Sequence, residues 1–131
     1  MSDLLTVHLY TAEFEKWKQM LSQLVAGQTE DVAAFPLVVR SVFFRTQMPF
    51  IVSESGGFGF SNYGGLHDSD ERARQITRYK EELRKYPIAG DVYTQATNIE
   101  EEQNGIIDAV SCELKVPAGL LASRSPKIYR K

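Results

Sequence analysis

The chain has a single cysteine, Cys112, two histidines and no apolar run approaching the length of a membrane span. One thiol excludes an internal disulfide framework, and without a CxxC pair there is no zinc-type spacing, so a reducing compartment, the cytoplasm, is the expected setting. A transmembrane helix needs about 18 or more apolar residues in succession. None is present, and the start MSDLLTVHLYTAEFEKWK lacks a basic stretch followed by an apolar one, so neither a leader nor a membrane partner is expected. Excess charge is also missing. A formal net charge of −2 and a pI near 5.7 argue against broad electrostatic attachment to nucleic acid or anionic lipid. No GxSxG, Walker A or GxGxxG pattern occurs, so no catalytic residue and no cofactor are expected.

What the chain does contain is enough apolar material for one core. With 131 residues, 43% of them hydrophobic, residues 1–123 are expected to form a single α+β domain, followed by a basic tail at 124–131. The charge is unevenly spread. Residues 66–131 hold eleven Lys/Arg and eleven Asp/Glu against four and six in residues 1–65, which makes the first half the richer source of core.

LLTVHLY at 4–10 is rich in β-formers and predicts a first strand. Thr11 suits a helix N-cap, Phe14, Trp17, Leu21, Leu24 and Val25 recur at helical spacing, and Gly27 suits the end of that helix. PLVVRSVFFRTQMPFIVSES predicts strands at about 37–46 and 49–54, broken at Pro49, with a short third piece at 57–63. Asp68 and Glu71 form a capping-box pattern opening a helix that runs to about Tyr86, before Pro87. Its apolar stripe is Ala73, Ile76, Tyr79, Leu83 and Tyr86. Arg72, Arg74, Arg78, Lys80, Arg84 and Lys85, with Glu81 and Glu82, are expected on a solvated face, where Arg78/Glu82 and Glu81/Lys85 have ion-pair spacing. GDVYTQATN at 90–98 predicts another strand. Asn104-Gly105 predicts a tight turn, and the alternation through 106–116 predicts a half-buried last strand with Val110 and Cys112 on its apolar face. The expected fold is therefore α+β: a two-layer sandwich of a mainly antiparallel sheet with two helices on one face, in β-α-β-β-α-β-β order, with a ferredoxin-like arrangement as one form.

The most unusual stretch is ESGGFGFSNYGGLHDSDE at 54–71. GGFGFSNY at 56–63 resembles the RNP1 octamer of the RNA recognition motif. Gly57, Phe58, Gly59, Phe60 and Tyr63 fit, while Gly56 stands for the basic residue and Ser61 for the valine. VHLYTA at 7–12 loosely resembles the family's second motif, with His8 in place of an aromatic. The resemblance implies base stacking by His8, Phe58 and Phe60 on one sheet face. The competing reading places Phe58 and Phe60 in the core, with glycines relieving crowding at a turn.

His67, beside Asp68 and Asp70, could serve a base or a metal. The only other histidine is on another element, so no metal site is expected. Arg40 and Arg45 interrupt an apolar strand and fall on opposite faces of an ideal strand. The partner-binding candidates are Phe58, Phe60, Tyr63, His67, His8, Arg40 and Arg45. The expected function is a non-enzymatic small binding protein, an adaptor or inhibitor working through protein–protein contacts, with self-association as a further option. Single-stranded RNA binding is the alternative, and a ligand-binding or enzymatic role for the Gly56–Gly65 loop is the second alternative.

Overall fold

A computed structural model describes residues 4–26, 49–58, 65 and 68–119. The elements in chain order are β1 (Leu5–Tyr10), α1 (Phe14–Val25), β2 (Phe50–Gly56), α2 (Ser69–Leu83) and β3 (Gly90–Thr94). The expected strand at 37–46, most of the short piece at 57–63 and the basic tail lie outside the described residues.

The sheet is parallel, which corrects the antiparallel expectation. Its strand order is β1-β2-β3, and both pairings run parallel. The physical reason is in the connections. Between successive strands of this sheet the chain makes a helix, and a strand-helix-strand crossover returns the chain in its original direction. The misleading signal was the apolar alternation through 106–116, which reads as a strand buried on one face. One-sided burial of this kind is the usual mark of an antiparallel sheet, because parallel sheets are commonly covered on both faces.

Both helices pack on the same face. The buried stripe of α1 is Trp17, Met20, Leu21 and Leu24, and that of α2 includes Ala73, Ile76, Tyr79 and Leu83. They meet where Tyr79 lies 4.4 Å from Trp17 and 5.2 Å from Phe14, ring centre to ring centre. The polar tips of these aromatics are satisfied within the core. Trp17 Nε1 donates to Leu9 O, and Tyr79 Oη donates to Thr11 O at 2.7 Å. Burial raises the Tyr79 phenol pKa well above its ordinary value, so this donor stays protonated. Beneath the helices Val7, Leu9, Phe50 and Val52 complete the core.

The helix starts follow local chemistry. Asp68 caps α2, its carboxylate accepting from Glu71 N at 2.7 Å. Glu13, not Thr11, is the cap residue of α1, and it makes no side-chain cap bond. Thr11 Oγ1 instead accepts from Glu13 N, one step before the helix. Two residues expected on the solvated face of α2, Arg72 and Glu82, are buried. Lys85 reaches Glu82, and Arg78 pairs with Glu15 on α1 while its guanidinium covers the Phe14 ring at 3.6 Å.

After β3 the chain forms turns and isolated bridges, not the last strand expected at 106–116. Val116 is buried, but Val110 is 95% exposed and Cys112 is exposed in a left-handed conformation with φ 60°. No helix among the described residues is long and apolar enough to cross a membrane.

Candidate functional site

The helix-free side of the sheet carries a polar cluster created by a bulge. Thr6 pairs with Ile51 and Val7 with Val52, after which the register slips so that His8 pairs with Glu54. Without that slip His8 would face Ser53, and Glu54 would turn toward the helix-covered core. The extra residue is Ser53, whose hydroxyl donates to Val7 O at 3.3 Å. Glu54 thereby joins His8 and Tyr10 on the outer face, at the carboxyl ends of β1 and β2. Tyr10 Oη donates to Glu54 Oε2 at 2.6 Å, and His8 Nδ1 lies 3.3 Å from the same oxygen. The His8 and Glu54 side chains are 60% and 40% exposed, so the pair is open to solvent. Bulge positions cannot be read from alternation, which is why His8 stood alone in the sequence and Glu54 and Tyr10 were not seen beside it.

The glycine-aromatic stretch begins at the end of β2. Gly56 has φ 111° and Gly57 φ 69°, and a Cβ on Gly56 would come within 2.5 Å of the Tyr93 ring. Gly56 is therefore required both for its backbone angle and for the close approach of β3. Phe58 turns inward. It is 1% exposed, and its ring lies 4.8 Å from Tyr79 and 6.2 Å from Tyr93. So buried a ring has no face to offer a base. Phe60, Tyr63, His67, Arg40 and Arg45 lie outside the described residues. Of the seven candidates the structure therefore places two, His8 on the outer sheet face and Phe58 in the core, and does not bring them together.

Beside Phe58 a depression of about water size is lined by Ser55, Gly56, Ile76, Tyr79, Lys80 and Tyr93. The adjoining Lys80–Asp91 ion pair ties α2 to β3. No group of three or more His, Cys, Asp or Glu suited to holding a metal occurs among the described residues.

Residues 109–114 are all exposed, and the turn at 108–113 is organised by hydrogen bonds. Asp108 Oδ1 accepts from Val110 N at 2.9 Å and from Ser111 N at 2.8 Å, and Cys112 N donates to Asp108 O. Ser111 Oγ accepts from Glu113 N, while Asp108 N donates to Glu113 O. The two amide donors, Ser111 first and Val110 second, hold the Asp108 carboxyl below its ordinary pKa. The outcome is a hydrogen-bonded turn with an aliphatic side chain at its tip. The sequence signal was available in Asp108 and Ser111, which favour side-chain-to-backbone turns, but it was outweighed by apolar alternation.

No protein-family model, curated protein or solved structure matches this chain.

Proposed function

We propose that the protein works non-enzymatically by binding another protein, as an adaptor or inhibitor, with Val110 as its apolar anchor. The observation that carries this reading is the 95% exposure of Val110 on a turn whose backbone is already fixed by Asp108. An exposed aliphatic side chain gains by entering a partner's pocket, and a turn that is ordered beforehand loses little conformational freedom on binding. Glu100, Glu101 and Glu113 are exposed in the same C-terminal segment. The matching partner surface is a small apolar pocket with a basic rim. The exposed Cys112 two residues along suits a reducing cytoplasm, where a lone surface thiol stays reduced.

The test is site-specific photo-crosslinking in cells of the native source, with benzoylphenylalanine replacing Val110 and, as a control, Gln19 on the exposed face of α1. A discrete protein adduct at position 110, absent at position 19 and lost when Asp108→Ala is added, is the expected result. An adduct with a second copy of this chain would identify the partner as itself. No adduct at 110, or the same adducts at both positions, would contradict the reading.

A further inference from the structure

We propose that the junction of the first turn of α2, the end of β3 and the 98–115 segment binds a phosphate dianion, free or as a monoester, with Arg72 and Lys115 as its cationic ligands. This inference stands apart from the protein-contact reading, because its ligand residues are not those of the 108–113 turn.

Arg72 is the anomaly. It is only 5% exposed, yet it has no ion pair among the described residues. Its Nη1 donates to Gln103 O at 2.6 Å, and its Nε is buried without a partner. Buried charges are normally paired, because removal from water is unfavourable unless an opposite charge replaces the lost solvation. The acids of these elements are otherwise engaged: Asp70 and Glu71 pair with Arg74, the Asp68 carboxylate caps α2, Glu102 Oε2 accepts from Asn104 Nδ2, and Asp108 Oδ1 accepts from Val110 N and Ser111 N.

A second cation is joined to this point by hydrogen bonds, since Asn98 Nδ2 donates to Oε1 of Gln103, the residue whose carbonyl oxygen Arg72 holds. Lys115 Nζ donates to the neutral Asn98 Oδ1, and burial, followed by the charge of Arg72, lowers its ammonium pKa, with Asp108 opposing the shift. Arg72 also influences Tyr93, whose pKa burial pushes up to about 12 although the guanidinium acts to lower it. Gln95 Nε2 is a further buried donor without an acceptor. Backbone bonds tie these residues into one unit: Ile106 N donates to Gln95 O, Lys115 N donates to Ile106 O, and Tyr93 Oη donates to Asn104 O.

Two cations with unfilled donors call for a ligand that has two negative charges and only acceptor oxygens. A phosphate dianion meets both conditions, whereas a carboxylate brings one charge. The edge of a guanidinium that bears Nε is suited to paired oxyanion contacts. The place is also favourable, since ligands of parallel sheets gather at the carboxyl ends of the strands, where the next helix begins.

The test is an NMR titration of the intact chain at neutral pH and constant ionic strength with inorganic phosphate, O-phosphoserine, acetate or chloride. Saturable amide shifts at Arg72, Gln95, Asn98 and Lys115 with a phosphate species, and none with chloride, are expected. Response to O-phosphoserine alone would identify the monoester as the ligand. Lys115→Met should weaken binding by about tenfold or more, the usual effect of losing a hydrogen bond to a charged group. Arg72→Met should abolish binding, with its fold checked by a melt in phosphate-free buffer because the substitution also removes the Nη1 bond to Gln103 O. A wild-type chain without a saturable response overturns the proposal whatever the variants do, as does an undiminished response in Lys115→Met.

Discussion

The chain from β1 to β3 and the segment after β3 are held by different forces. In the first, Trp17, Leu9, Leu21, Phe58, Tyr79 and Leu83 fill a continuous apolar core. In the second, Val116 is the one buried apolar side chain among the described residues, and shape comes from side-chain bonds to backbone: Gly105 N to Asn98 Oδ1, and Val110 N and Ser111 N to Asp108. Burial defends the fold but hides the residues that provide it. A hydrogen-bonded segment leaves its side chains outward, where they can meet a partner. The contrast teaches where to look for function in this molecule, away from its best-packed aromatics.

That contrast can be broken most severely in the core. Trp17→Ala removes a fully buried indole between the sheet and Tyr79 and should cost about 3–5 kcal/mol, enough to unfold a small domain in a denaturant melt. Gly56→Ala comes next. A left-handed alanine costs about 1–3 kcal/mol, and its Cβ would also push Tyr93 from its place beside Phe58. Asp68→Ala removes the α2 cap and should cost about 1 kcal/mol, read as a lower urea midpoint at unchanged slope. Near-wild-type stability in Trp17→Ala would mean that the helices do not cover the sheet as described.

The smallest effects belong to the C-terminal segment. Since its amide donors depress the Asp108 pKa, the contribution of that turn is fully present above the ordinary carboxylate value of about 4 and is lost as pH falls through the depressed value. The amide resonances of Val110 and Ser111 should move in that acid window while those of Leu9 and Leu21 in the core stay fixed. Simultaneous movement of both sets would show that the two regions melt as one.

The elements that could be read in advance were those specified locally. The Phe14, Trp17, Leu21 and Leu24 spacing placed α1, and the Asp68–Glu71 pattern placed the start of α2. Strand direction was not local. It depends on which segments become strands, and the expected strand at 106–116 added a partner that β3 does not have there. The outer cluster was illegible for a related reason: Glu54 reaches His8 only through a one-residue slip between β1 and β2. Arg72 looked like any other basic residue of a charged helix, because its burial comes from the 103–115 segment folding back onto α2.

The central claim is that Val110 contributes to binding and not to folding. The direct measurement is the affinity of the partner identified by cross-linking for Val110→Asp, compared with wild type, after a thermal melt of both chains. The account predicts a melt unchanged within about 0.5 kcal/mol, as for other surface substitutions, with binding lost. A destabilised variant, or a stable one that binds as wild type does, would contradict it.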